Sequence, residues 1–156
     1  MSEKEMKRRK IARAVMRRAW YTFRRSCLSW RVCLQMAWRT VRCMQPVYYS
    51  KVHGTTYENR QDTLRSLLNC HEEDIRLFFQ REEDNAYDKN AIRIIAEVKN
   101  RYEAQIGYVS REWARRIAPY LDQGHEAIVL ISQITGDPER GRYLGVNYEF
   151  SLADIR

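Results

Sequence analysis

The N-terminal part of the chain has no glycine or proline between Ile11 and Met44, which restricts what this segment can form. Apolar residues recur there at the three- and four-residue spacing of a helix. They are Ala12, Met16, Ala19, Phe23, Trp30, Leu34, Ala37 and Val41. Because residues at this spacing share one face of a helix, the segment is predicted to be an amphipathic helical arm.

The arm is strongly basic. The 156-residue chain has a formal net charge of +8, and residues 1–44 contain thirteen Lys or Arg against two Glu, whereas the remainder is net acidic. On a helical wheel, five arginines lie within about 40° of one another beside the apolar face. They are Arg13, Arg17, Arg24, Arg31 and Arg42. This pattern predicts contacts with nucleic-acid phosphates, and a membrane-surface helix is the alternative.

The arm contains a short repeat, Ala19 to Arg24 and Ala37 to Arg42, offset by eighteen residues. The repeat fits one long helix or two similar helices that fold into a hairpin near Ser26 to Ser29. A hairpin is favoured, because uncapped helices longer than about 25 residues are uncommon in globular proteins. A serine at the turn is suited to cap the second helix.

A change of composition at Pro46 divides the chain into an arm, residues 1–45, and a domain, residues 46–156. The domain is predicted to be α+β, a small antiparallel β-barrel-like unit with the arm as its N-terminal helical extension. Its predicted strands are 47–53, 75–81, 91–98, 104–109, 126–134 and 143–152, and its predicted helices are 60–68 and 110–123. Ser110 is the expected N-cap and Gly124 the expected end of the second helix, which Pro119 is expected to divide.

Several classes of protein are not favoured. No apolar stretch is long enough for a membrane span, and Cys27, Cys33, Cys43 and Cys70 form no CxxC pair, which is typical of reduced thiols in a cytoplasmic protein. Nucleophile, P-loop and metalloprotease motifs are missing, so we expect no enzyme, no cofactor and no metal. A metal-dependent nuclease built on Asp88, Glu97 and Lys99 is a lesser alternative.

Three blocks of the domain resemble the HIRAN domain family. They are VHGTTYENRQ (52–61), REEDNAYDKNAI (81–92) and QIGYVSREWA (105–114). The second is similar to the family pattern N-P-Y-D-x-N-A-I, with Ala86 in place of the proline. The first departs from the family's Arg-Tyr-Tyr run, since this chain has Thr56-Tyr57-Glu58, and Tyr108 stands where some members have His.

The resemblance implies binding of single-stranded DNA, in some members at a free 3′ end. Tyr57 and Tyr87 would stack on terminal bases, and Asp88 would accept a hydrogen bond from the 3′ hydroxyl. Asn85 and Asn90 would shape the loop. Tyr108, Arg111 and Lys89 would face phosphates. Repair, replication and phage defence in bacteria or phage are the processes that this activity would serve.

Physical chemistry supports the same hypothesis. Single-strand binding needs flat side chains for base faces and cations along the backbone, and Tyr48 and Tyr49 near Lys51 add to the tyrosines named above. We therefore expect the arm to supply salt-sensitive affinity and the domain to read the strand. The alternative is a non-enzymatic adaptor whose arm recruits a helicase or a nuclease.

Overall fold

The computed structural model describes residues 2–25, 29–43 and 47–153, apart from the side chains of residues 25, 42, 43 and 153. Two predicted features fall outside these residues: most of the turn near Ser26 to Ser29, and the domain boundary at Pro46. The division of the chain at residue 46 therefore stays a prediction.

Two helices form the arm, α1 (Glu3–Arg25) and α2 (Trp30–Cys43). They pack against each other through a small cluster of buried side chains: Val15, Ala19, Cys33, Met36 and Ala37. The Ser29 hydroxyl accepts a hydrogen bond from the Val32 amide at 3.4 Å, which caps the start of α2. The hairpin is therefore confirmed over one long helix.

The buried face of α1 differs from the predicted one. Val15, Ala19 and Thr22 are buried, whereas Met16 and Phe23 are 45% and 39% exposed. The contacts of α1 with α2 and with the sheet decide which of its positions are buried, and the helical period does not reveal these contacts. The arm's buried apolar residues pack inside the protein. Among the described residues, no helix is both long and apolar enough to cross a membrane.

The domain contains one antiparallel sheet of six strands among the described residues, in the order β1-β6-β5-β2-β3-β4. The strands are β1 (Tyr48–Lys51), β2 (Ile75–Arg81), β3 (Ile92–Val98), β4 (Tyr102–Tyr108), β5 (Glu126–Asp137) and β6 (Arg142–Ala153). The domain's helices are α3 (Arg60–Leu68) and α4 (Arg111–Asp122), with 3₁₀ turns at Glu72–Asp74 and Pro138–Arg140. The predicted α+β fold is confirmed.

The described sheet is not closed into a barrel, and β1 and β4 are its two edges. One isolated bridge joins these edges: the His53 amide donates to the Tyr108 carbonyl and the Tyr108 amide to the His53 carbonyl, both at 2.9 Å. Glycine at position 107 permits this approach, because a Cβ atom there would lie 2.3 Å from the His53 oxygen. The bridge places the residues after β1 beside the end of β4.

The core lies on the face of the sheet that α3 and α4 cover, where Leu64, Leu67 and Ile117 are fully buried. The ends of α4 agree with the sequence: the Ser110 side chain caps its start, and Gly124, at φ +86°, follows its end. The expectation that Pro119 divides this helix is wrong. Pro119 lies in the last turn of α4, so the missing amide removes one hydrogen bond just before the helix ends.

The arm docks on the opposite face of the sheet, which we call the outward face. Tyr49, Glu149 and Leu130 are direct cross-strand partners on β1, β6 and β5. The Arg18 guanidinium of α1 forms an ion pair with the buried Glu149 carboxylate at 2.8 Å and donates to the Tyr49 hydroxyl. Leu130 packs against the cluster between α1 and α2. The arm is therefore joined to the domain by a buried charge pair and by apolar contact.

Candidate nucleic-acid interface

The loop between β2 and β3, residues 82–90, is ordered by its own polar side chains. The Asn85 Oδ1 atom accepts hydrogen bonds from the amides of Tyr87 and Asp88, both at 2.9 Å. The Asp88 Oδ1 atom accepts from the Asn90 amide, also at 2.9 Å. Short Asn and Asp side chains fold a chain in this way by replacing a backbone acceptor in tight turns. The loop therefore has a defined conformation without a core of its own.

Glu82 ties this loop to the neighbouring strands. Its carboxylate accepts hydrogen bonds from the Asn85 amide group and from the Tyr108 hydroxyl, both at 2.8 Å, and it forms an ion pair with Arg93. The hydrogen bond and charge of Arg93, with the bonds from Asn85 and Tyr108, lower the pKa of Glu82 to about 2. The carboxylate is therefore ionised at neutral pH and holds three side chains in place.

Arg60, in the first turn of α3, lies between two of the predicted tyrosines. Its guanidinium carbon is 5.8 Å from the centre of the Tyr57 ring and 5.2 Å from that of Tyr108. It also donates to the Gly54 carbonyl at 2.8 Å. Arg60 is 8% exposed and Tyr57 68% exposed, so a buried cation supports an exposed ring from beneath.

Arg81, the last residue of β2, holds the C-terminal end of the loop. It donates to the carbonyl oxygens of Ala91 at 2.8 Å and Lys89 at 3.2 Å. Its Nε atom also forms an ion pair with Asp122 of α4 at 2.8 Å, and this contact lowers the pKa of Asp122. Both ends of the loop are thus attached to the domain by arginine side chains.

The predicted binding residues occupy distinct positions around this loop. Tyr87 is 90% exposed at its tip, while Asp88 and Asn90 are half-buried beside it. Lys89 is exposed, and Arg111 is the exposed first residue of α4. Within the part of the chain that the structure describes, no hydrogen bond or ion pair joins either of these two side chains to the Glu82 network. The structure thus links Tyr57, Asn85, Tyr87, Asp88, Asn90 and Tyr108 through the loop and the contacts of Arg60 and Glu82, while the described side chains of Lys89 and Arg111 make none of these contacts.

The predicted arginines of the arm are divided between two helices. Arg13, Arg17 and Arg24 are exposed on α1, and Arg31 of α2 is 3.7 Å from the Glu73 carboxylate. Arg42 belongs to α2, but its side chain lies outside the described residues. Because the arm is a hairpin, these arginines lie on two helices with separate axes, and their assignment as phosphate contacts stays a prediction.

The residues of the nuclease alternative do not meet. Asp88 precedes β3, and Glu97 and Lys99 lie at its far end. Seven strand residues span about 20 Å, which is too far for two carboxylates to share a metal ion. Among the described residues, no group of three or more His, Cys, Asp or Glu side chains is placed to hold a metal.

Four residues of this site were not singled out from the sequence: Arg60, Arg81, Glu82 and Arg93. The first three lie within the recognised blocks, and Arg93 directly follows the second block. Their charges looked like ordinary surface charges in a sequence that is 31% charged. Cross-strand pairing brings Arg93 opposite Tyr108, and that register cannot be read from spacing.

This chain is similar to a protein of known structure and to a protein family. A crystal structure of a protein from Lactobacillus plantarum is 21% identical, covers 68% of this chain and 99% of that chain, and gives a TM-score of 0.42. A search of curated proteins gives no match. The family model of the HIRAN domain matches residues 46–151, more than half of the chain. This chain therefore belongs to the HIRAN domain family, whose domain binds nucleic acid.

Proposed function

We propose that this protein binds single-stranded DNA at a free 3′ hydroxyl end, without catalysing a reaction on it. The observation that carries the proposal is the ordered loop 82–90, which presents a tyrosine that is 90% exposed beside a half-buried aspartate. Such an exposed ring is suited to stack on a base.

The stacking surface is ordered in advance. The Asn85 side chain fixes the amides of Tyr87 and Asp88, and Arg60 supports Tyr57. Binding therefore requires little further ordering of these residues, which lowers the entropic cost of association. Each base stacked on a tyrosine contributes about 1 to 3 kcal/mol, so two stacks would give a useful affinity.

The charge of the loop favours a strand that ends in a hydroxyl over one that ends in a phosphate. Residues 82–90 contain four carboxylates and one lysine. The Asp88 carboxylate accepts one hydrogen bond from the Asn90 amide, and an ionised carboxylate has capacity for further donors. A 3′ hydroxyl can donate to it, whereas a terminal phosphate would be repelled. The charges of the loop therefore support recognition of a hydroxyl end.

Arg60 supplies a cation near Tyr57, although the arginine of the family run is absent from this chain. This chain has Thr56-Tyr57-Glu58 where the family run has Arg-Tyr-Tyr, but Arg60 brings a guanidinium to the rings of Tyr57 and Tyr108. Because Arg60 is nearly buried, we assign it the positioning of Tyr57 and Tyr108 rather than a direct phosphate contact.

The first test is a fluorescence-anisotropy titration of labelled single strands that end in a 3′ hydroxyl, a 3′ phosphate or a duplex. We expect tightest binding to the free hydroxyl, and a loss of about tenfold in affinity for Tyr87→Ala, since 1.4 kcal/mol corresponds to tenfold. Asp88→Asn keeps an oxygen for the Asn90 amide but removes the charge, so it should reduce the preference for hydroxyl over phosphate.

Trp38→Ala is the matched control, because Trp38 is also an exposed aromatic residue, 44% exposed, but lies on α2. It should leave the preference between ends unchanged. Equal affinity for all three ends, unaffected by Tyr87→Ala, would contradict recognition of the end. Tighter binding to the matching RNA strand would contradict the assignment to DNA. Failure to bind any oligonucleotide would favour an adaptor that recruits a helicase or a nuclease.

The arm is proposed to add phosphate contacts. Replacing all three of Arg13, Arg17 and Arg24 by Gln should reduce the slope of log affinity against log salt concentration by about 2. This value holds if each arginine contacts one phosphate of a single strand. The preference between 3′ ends should stay the same, because that preference is assigned to the loop. An unchanged salt dependence would exclude these three arginines from the interface.

A further inference from the structure

A row of polar and aromatic side chains runs along the outward face of β1 and the residues that follow it. Tyr49, Lys51 and His53 are exposed, while Tyr48 before them packs against the core and Val52, between Lys51 and His53, is buried in it. This alternation is the normal two-residue period of a strand, so the three exposed side chains point the same way. One prediction is corrected here: Tyr48 packs on Trp113 and Phe150 and is not available to a base.

The same face continues onto the neighbouring strands. Asn147 of β6 is the cross-strand partner of both Lys51 on β1 and Gln133 on β5. Cross-strand partners share a face of the sheet, so one cation and two amides form a line across three strands. This line is adjacent to the row of Tyr49 and Glu149, on which the arm docks.

Helix α1 turns this face into a groove. Tyr21 and Thr22 of α1, with Tyr49, Lys51, Gln133 and Asn147, line a space of about 450 Å³. The rings of Tyr21 and Tyr49 are 6.3 Å apart, and the ion pair of Arg18 with Glu149 fixes α1 beside them. The groove thus offers aromatic rings, a cation and amide groups within one small volume.

The groove leads to the proposed binding loop. His53 follows Lys51 by two residues and is bridged to Tyr108, whose ring lies over Arg60 and whose hydroxyl binds Glu82. Tyr49 and His53 are about 13 Å apart at the rise of an extended strand. A strand of nucleic acid leaving the loop can therefore pass along β1 without crossing the sheet.

We propose that this groove is a second subsite for the same DNA strand, one that receives the nucleotides on the 5′ side of the end held by the loop. This inference rests on the proposed function. Lys51 contacts a phosphate, the Asn147 and Gln133 amides contact base edges or backbone oxygens, and the exposed Tyr49 ring offers a stacking surface. All are groups that bind single strands without sequence preference.

The groove also explains why the arm and the domain occur in one chain. Its walls come from both parts, with Tyr21 and Thr22 from α1 and the other residues from the sheet. The helix that closes the groove carries exposed Arg13, Arg17 and Arg24. Nucleotides that extend past the groove therefore meet further cations, which gives the strand one continuous binding surface from loop to arm.

The test is the dependence of affinity on strand length, measured for oligothymidylates of about 2, 4, 6 and 8 nucleotides. For the wild-type protein we expect affinity to rise over this range. Lys51→Glu should leave binding of the shortest strand unchanged within twofold and reduce binding of the longest by about tenfold or more. Asn147→Ala should have a smaller effect in the same direction. Lys99→Glu is the matched control, because Lys99 is an exposed lysine at the turn between β3 and β4.

The length series separates this inference from the proposed function. With a 3′ phosphate on every strand, the loop loses its preferred end, yet the gain in affinity with length should persist in the wild type and be lost in Lys51→Glu. Affinity that does not rise with length, or a gain that Lys51→Glu leaves intact, would overturn the second subsite. Equal loss from Lys51→Glu and Lys99→Glu would also overturn it, because that result indicates a general charge effect.

Discussion

Replacing Arg18 by alanine is expected to lower the free energy of unfolding by about 3 kcal/mol at pH 7. Arg18 is the ion-pair partner of the Glu149 carboxylate, whose side chain is 3% exposed. The substitution would leave the carboxylate charge buried without this partner. The loss should appear as a lower midpoint in urea denaturation, followed by circular dichroism. Because Arg18 also fixes α1 beside β1, longer strands should bind less tightly.

The dependence of this loss on pH follows from the direction of the Glu149 pKa. Burial raises this pKa above its usual 4.5, and the charge and hydrogen bond of Arg18 oppose the increase. Without Arg18 the folded-state pKa rises further. As pH falls toward 4.5, the folded variant takes up a proton while the unfolded chain is still ionised, so the deficit relative to wild type should shrink.

Two variants control this experiment. Arg17→Ala removes an exposed arginine from the same helix and should change the unfolding free energy by less than about 0.5 kcal/mol. Adding Glu149→Gln to Arg18→Ala removes the buried charge and should recover part of the loss. If Arg18→Ala is as stable as wild type, or if its deficit does not change with pH, the ion pair does not hold the arm on the domain.

Replacing Glu82 by glutamine is expected to cost about 1.5 to 3 kcal/mol of unfolding free energy at pH 7, the range for hydrogen bonds to charged groups. The amide can no longer accept from Arg93, Asn85 and Tyr108 together, and its own N–H groups face the Arg93 guanidinium. The loop that carries Tyr87 depends on Asn85, so the affinity for a 3′ hydroxyl end should fall as well.

The pH range of the Glu82 effect is set by its lowered pKa. The folded-state pKa is about 2, against an ordinary value of 4.5, so the contribution of Glu82 is fully present above 4.5 and is lost as pH falls toward 2. The difference between Glu82→Gln and wild type should narrow over that range in urea denaturation. Glu83→Gln, which changes the exposed neighbour, should follow the wild type throughout. A difference in unfolding free energy that stays constant with pH would contradict the conclusion that the ionised Glu82 carboxylate stabilises the fold.

Much of the fold could be predicted from the sequence because its signals are local. The predicted bounds of β2 and α3 agree with the structure to the residue, and those of most other elements differ by one or two residues. Alternating apolar residues, the Ser110 cap and Gly124 act over a few positions, so they can be read without knowing the fold. The bounds of β5 were less accurate, because its last residues, up to Asp137, are polar and are defined by pairing with β6.

The candidate site could be predicted in part. The residues of the recognised blocks, such as Tyr87 and Asp88, were named because they are contiguous in the sequence. Arg60 and Glu82 lie in the same blocks but were given no role, since their roles depend on where α3 and β4 bring other side chains. Arg18 was likewise counted among ordinary basic residues of the arm, although it is the one that binds Glu149 across 131 positions.

The sequence by itself determined the local elements, the basic and amphipathic character of the arm, and the family to which the domain belongs. The tertiary structure decided which charges are buried, how the arm folds back on the sheet, and which tyrosines are exposed together. The physical reason is the separation along the chain between the residues that interact. Helix periods, caps and turns act between residues a few positions apart, whereas ion pairs such as Arg18 with Glu149 and ring contacts such as Arg60 with Tyr108 depend on chain segments that only folding brings together.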